Sequence, residues 1–217
     1  MKRQPVLLAH EARKFGIQAR KRLTPAQRRH QSQRIFRCVL SLIKIAGVSR
    51  VGTYLSSSHE VSTNRLNSVL CDRGLQVLAP RVAKGASMFW SELAPRHFFR
   101  RNHYQIREPR IVQTHNSRSP CQRIDFLIVP LSAFDAQCHR TGMGGGYYDR
   151  EIARLRKLHD VICVGLAFEQ QRCSSIQSQA WDQSMDFVVT PSHTFVARGS
   201  ITATSKTLKP LRLKGNH

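Results

Sequence analysis

The chain reads as an α/β protein, a single domain on a mostly parallel, twisted sheet flanked by helices. Three observations carry that expectation. Residues 50–55, 63–71 and 75–79 follow one another as a β-prone run, a helical stretch and a second β-prone run, which is a βαβ rhythm. Residues 124–130 are almost continuously apolar, as in a parallel strand covered on both faces. Residues 161–168 repeat that pattern after a glycine-rich loop and a helical stretch.

In chain order, residues 13–22 are a basic helical stretch. Thr24-Pro25 stops and restarts it, because Thr24 suits an N-cap and Pro25 the first helical position, where no N–H is needed. Ile35, Phe36, Val39, Leu40 and Ile43 then recur at helical spacing. The strand at 50–55 leads into a Ser56-Ser57-Ser58 loop. The helix at 63–71 ends near Gly74, and the strand at 75–79 is expected to stop at Pro80. Met88-Phe89-Trp90 and Tyr104-Gln105-Ile106 are candidate hairpin or edge strands, and 113–123 a loop. A helix is expected over 147–158, and Phe187-Val188-Val189-Thr190 as a last short strand. Beyond Arg198 the chain is Ser/Thr-rich and basic without apolar periodicity. Residues 1–198 are therefore read as the domain and 199–217 as a basic flexible tail.

Composition narrows the function. A chain of 217 residues, 41% hydrophobic, needs no disulfide or metal to hold its core. No apolar run approaches the roughly 20 residues of a membrane helix. The apolar stretch near the start is too short for a secretory signal, so the expected setting is cytoplasmic. Six cysteines without a CxxC pair read as free thiols. The 35 Lys+Arg against 13 Asp+Glu give a net charge of +22, which favours anionic partners without naming them. Aromatics are 7% of residues and are not interleaved with the basic ones. No helix-turn-helix, zinc or RNA-recognition signature is present, so nucleic acid would be held only non-specifically.

The sharpest local feature is Arg140-Thr141-Gly142-Met143-Gly144-Gly145-Gly146-Tyr147-Tyr148-Asp149. Glycines let the backbone approach a ligand closely, and successive N–H groups leading into a helix N-terminus cradle phosphate. Arg140 adds a bidentate phosphate contact, and Asp149 is placed to hold Mg²⁺ beside it. No Lys-Ser/Thr follows the glycines, so this is not a P-loop, and the spacing is not that of a dinucleotide site. On these residues alone, a glycine-rich packing turn stays open as the other reading.

This loop resembles the hallmark loop of the 5-formyltetrahydrofolate cyclo-ligase family. Further segments agree in order: Tyr54-Leu55 with Glu60-Val61-Ser62-Thr63, then Ala79-Pro80-Arg81-Val82, then Ile106-Arg107-Glu108-Pro109. They are followed by Asp125-Phe126-Leu127-Ile128-Val129-Pro130 with Ala133-Phe134-Asp135, and by Val164-Gly165-Leu166-Ala167-Phe168 with Gln171. Trp181-Asp182 and Asp186-Phe187-Val188-Val189-Thr190 complete the set. The resemblance spans about residues 12–192. It implies ATP- and Mg²⁺-dependent closure of 5-formyltetrahydrofolate to 5,10-methenyltetrahydrofolate, with release of ADP and phosphate, through a phosphorylated formyl group.

The resemblance also implies roles. Arg13, Arg140, Gly142, Met143, Gly144, Gly145, Gly146, Tyr147 and Tyr148 would bind ATP. Asp149 and Asp182 would hold Mg²⁺. Tyr54, Leu55, Glu60 and Tyr148 would contact the folate, with Glu60 accepting from the pterin N–H groups. Arg140 and Tyr148 would act at the reacting atoms. The chain departs from family habit with Ala9 and Gly145 where many or some members carry Lys. The positive charge would suit a polyglutamylated folate, whose tail is anionic. Two other readings stand beside this one: a basic nucleic-acid-binding protein, and an ATP-dependent ligase with a different acceptor.

Overall fold

The computed structural model describes residues 6–82, 88–93, 99–101, 107–109 and 123–197. In order, the chain forms β1 (Val6–Leu7), α1 (Ala9–Arg22), α2 (Pro25–Ala46), β2 (Arg50–Gly52), α3 (Asn64–Asp72), β3 (Gln76–Val82) and β4 (Met88–Glu92). The short strands β5 (Phe99–Arg101) and β6 (Arg107–Pro109) pair with each other. Then come β7 (Phe126–Pro130), β8 (Ala133–Phe134), β9 (Arg140–Thr141), α4 (Tyr147–Leu158) and β10 (Ile162–Leu166). A 3-10 turn (Glu169–Gln171), β11 (Ser175–Ile176), β12 (Phe187–Val189) and β13 (Thr194–Val196) finish the described chain.

The helix boundaries follow local chemistry. Thr24 accepts from the Gln27 N–H at 3.2 Å and Gln27 Oε1 accepts from the Thr24 N–H at 2.8 Å, a reciprocal cap that fixes the start of α2. Gly47, at φ 61°, ends it.

Seven strands form one sheet in the order β13-β12-β10-β7-β2-β3-β4. The five inner strands run parallel and the two edge strands antiparallel. Alternation along the strands builds two apolar layers. Phe126 and Ile128 of β7 face Ile35, Val39 and Leu42 of α2 and Leu66 and Leu70 of α3. Leu127 and Val129 face Ile152 and Leu155 of α4. The α/β expectation therefore holds, with helices on both faces.

Some boundaries differ from expectation. The strand from 75 runs on through Pro80 to Val82, with Pro80 paired to Trp90. It does so because β2 ends opposite Leu78, so beyond that point β3 is paired, among the described strands, only with β4 and a missing N–H is tolerated. The strand from 50 ends at Gly52, and the chain then turns into a folded loop. The candidate strand at 104–106, the bulk of the loop at 113–123 and the tail at 199–217 lie outside the described residues. No helix among the described residues is long and apolar enough to cross a membrane.

Candidate active site

The site lies where the sheet's connectivity reverses. From β2 the chain passes through α3 to β3 on one side, and from β7 through α4 to β10 on the other. β2 and β7 are neighbours, so the loops leaving their carboxyl ends diverge and leave a crevice, the usual ligand position in an open α/β sheet. One loop carries Tyr54, Leu55 and Glu60. The other leads through β8 and β9 to the glycines.

The first loop is folded on itself. The Tyr54 hydroxyl donates to Val61 O at 2.9 Å, and Tyr54 O accepts from Thr63 Oγ1 at 2.6 Å. Glu60 Oε2 accepts from the Ser57 N–H at 2.8 Å. Burial, then the negative charge of Glu60, pushes the Tyr54 hydroxyl well above its ordinary pKa. The same two causes raise Tyr148, with Arg140 opposing. Both phenols are therefore neutral near neutral pH, and the single O–H of Tyr54 is already donated to Val61 O. These mutual effects place Tyr54, Glu60 and Tyr148 in one neighbourhood. Leu55 packs against the apolar layer beneath.

The glycine loop is held from both sides. From α1, Arg13 Nε donates to Gly142 O at 2.7 Å, and its guanidinium lies against Gly144, whose φ is 99°. α1 comes this close because Gly16 has no side chain: a Cβ there would fall on the Ser132 carbonyl. Gln171 anchors the segment below, donating to Leu131 O and Ser132 O at 2.9 and 2.7 Å. A Cβ at Gly145 would lie 2.6 Å from Tyr147 Cε2, so glycine leaves room for that ring. Arg150 stacks over the Tyr147 ring at 5.4 Å and donates to Gly145 O at 2.8 Å. Met143, at the loop tip, is 69% exposed.

Arg140 is buried and donates to Asp149 Oδ1 at 2.8 Å. The Gln183 N–H donates to the same oxygen at 3.1 Å, which draws the Trp181-Asp182 segment to the start of α4. Asp149 Oδ2 has no protein partner among the described residues. Asp182 Oδ2 closes its own turn by accepting from the Gln179 N–H at 2.8 Å. Among the described residues no three His, Cys, Asp or Glu side chains gather as a complete metal cage. The donor set instead fits Mg²⁺, which takes one or two carboxylates and completes its shell with phosphate and water. The five described cysteines are free thiols.

Sequence reasoning passed over Arg20, Ser132 and Gln183. Arg20, two turns beyond Arg13 on α1, is buried between Glu60 and Met143. Its seven-residue spacing from Arg13 puts the two on one helix face, but the same basic helix offers other arginines.

Comparison with known proteins fits this geometry. Residues 9–191 match the profile of the 5-formyltetrahydrofolate cyclo-ligase family. A 5-formyltetrahydrofolate cyclo-ligase of Escherichia coli is 29% identical over 177 residues, covering 81% of this chain and 96% of that one. The enzyme of the same name from Haemophilus influenzae is 31% identical, covering 75% and 87%. The solved structure of Aquifex aeolicus 5,10-methenyltetrahydrofolate synthetase aligns with a TM-score of 0.72 at 26% identity, over 88% of this chain and 93% of that one.

Proposed function

The chain belongs to the 5-formyltetrahydrofolate cyclo-ligase family, an enzyme family, and from that premise we propose that it closes 5-formyltetrahydrofolate to 5,10-methenyltetrahydrofolate at the expense of ATP. The observation that carries this reading is the meeting of two loops at the β2/β7 crevice. One offers the Glu60 carboxylate beside the Tyr54 phenol, and the other a glycine cradle with Arg140, Tyr148 and Asp149, gripped by Arg13 of α1.

In this reading Glu60 accepts from the pterin N–H groups, and Tyr54, Leu55 and Tyr148 wall the folate. Gly142, Met143, Gly144, Gly145, Gly146, Tyr147 and Tyr148 wrap the triphosphate with Arg13 and Arg140. Asp149, joined by Asp182, would hold Mg²⁺, which neutralises phosphate charge when bound. The formyl oxygen attacks the γ-phosphorus. An O–P bond forms, and ADP departs with the electron pair of the broken bond. N10 then adds to the activated formyl carbon and loses its proton to solvent. Phosphate leaves as the ring closes. No side chain need form a covalent bond, so positioning and charge neutralisation carry the rate. Arg140, beside Asp149, and Tyr148, near the formyl group, act at the reacting atoms in this reading.

Glu60 also lines an open groove of about 450 Å³ whose walls include Arg28, Arg29, Arg65, Ser32 and Ser57. That lining supports a preference for folates with an anionic polyglutamate tail. Nucleic acid has no comparable feature in its favour. Free buried thiols agree with a reducing cytoplasmic setting.

The test is the absorbance of the methenyl product. Protein, 5-formyltetrahydrofolate, Mg²⁺ and ATP should yield it, and omission of ATP or the change Asp149→Ala should abolish it. A folded protein that binds ATP yet makes no product would point to a ligase with another acceptor.

A further inference from the structure

Arg20 is a buried cation without adequate partners. Its side chain is 8% exposed. Nη1 lies 3.7 Å from Glu60 Oε1, too far for a hydrogen bond, and Nη2 reaches only the Met143 sulfur at 4.0 Å. Nε has no partner among the described residues. A guanidinium carries five N–H donors, and among the described residues none of these meets an oxygen or nitrogen acceptor within hydrogen-bonding range. Burying a cation in that state is costly, and the nearby Glu60 offsets only part of it. A folded protein keeps such a group where a ligand completes it.

Its position says which ligand. Arg13 and Arg20 are seven residues apart on α1, so they share a face and stand roughly 10 Å apart along the axis. Arg13 grips the loop at Gly142 and lies against Gly144. Arg20 touches Met143 on one side and faces Glu60 on the other. The face thus runs from the phosphate cradle to the folate carboxylate, and Arg20 stands at the junction. We propose that Arg20 is a catalytic residue that binds the γ-phosphoryl group of ATP and accompanies it to the formyl oxygen. This rests on the reading of Glu60 as the folate side and the glycine loop as the ATP side.

The chemistry is balanced without proton transfer to or from Arg20. As the formyl O–P bond forms and the bond to the β-phosphate oxygen breaks, the electron pair leaves with ADP and the moving group carries its charge spread over three equatorial oxygens. The guanidinium N–H groups donate to those oxygens, a geometry that arginine's planar fork supplies and lysine's point charge does not.

The test uses Arg20→Met, a neutral side chain of similar length, and Arg20→Lys. Ligand-free Arg20→Met should unfold at the wild-type temperature or above it, since an unpaired buried charge has gone. Its stabilisation by ADP with Mg²⁺ should match wild type, while the extra stabilisation that ATP gives over ADP should vanish. Turnover should fall by about 100-fold or more, with KM for the folate within about threefold, and Arg20→Lys should recover only part of the loss. A lower ligand-free unfolding temperature, or failure to fold, would make Arg20 a structural prop of Glu60 and overturn the proposal. So would unchanged turnover, or a loss confined to folate KM. Should the wild type make no methenyl product, the folate reading fails. The ATP-over-ADP stabilisation then still decides whether Arg20 meets a γ-phosphate.

Discussion

Asp149 Oδ1 is occupied by Arg140 and the Gln183 N–H, while Oδ2 remains available to a cation. Asp149→Asn keeps the size of the side chain and removes its charge. It should lower turnover by about 100-fold or more and raise the Mg²⁺ concentration needed for half-maximal rate. Glu60→Gln should act differently, raising KM for the folate about tenfold or more through loss of a charge-assisted hydrogen bond, with a smaller change in turnover. Steady-state kinetics on both variants separates the two effects. The glycine run with Arg140 and Asp149 stood out by residue type and spacing, whereas Glu60 was singled out only through the family resemblance. Arg20 was not legible, since a basic helix offers many arginines and sequence does not show which one is buried.

Two elements hold the site in shape. α1 reaches the glycine loop only through Gly16, so Gly16→Ala should push the helix from Ser132. The expected cost is about 1–3 kcal/mol of stability and a raised KM for ATP, as Arg13 loses its reach to Gly142. Thermal unfolding and ATP titration check both. Next to α1, Glu169 ties the 3-10 turn to the β12–β13 turn through Thr190, Ser192 and His193. Burial opposes ionisation there, but those hydrogen bonds win and hold the carboxyl below its ordinary value. A lowered folded-state pKa gives stability that is present above the ordinary carboxylate range and lost as pH falls through the folded value. The stability gap between wild type and Glu169→Gln should therefore be widest near neutrality and shrink progressively as pH falls below the ordinary carboxylate range. Unfolding temperatures from pH 7 to 3.5 measure it. Helices were read well from sequence: α4 spans Tyr147–Leu158, as its pattern indicated, and Thr24 caps α2. The two-residue pairings β1–β11 and β8–β9 were not, because two residues carry no periodicity. β3 was cut short at Pro80 because sequence does not reveal that its neighbour ends there.

Across the protein, strand order and charge act together. The order β10-β7-β2-β3 puts the connectivity reversal at the crevice, and the groove beside Glu60 brings Arg28, Arg29 and Arg65 to its edge. If these arginines receive a glutamate tail, KM for a triglutamate substrate should be lower than for the monoglutamate. The difference should shrink as salt rises from 50 to 500 mM, a range chosen because screening lengths fall to about 4 Å at its upper end. Arg28→Gln with Arg65→Gln should shrink it at low salt. All of this depends on ATP phosphorylating the formyl oxygen in the crevice between the two loops. That step is tested most directly with 5-formyltetrahydrofolate carrying oxygen-18 in the formyl group, followed by mass analysis of the released phosphate. Transfer of the label into inorganic phosphate, one heavy oxygen per turnover, is the expected result. Label released to water, with unlabelled phosphate, would contradict it.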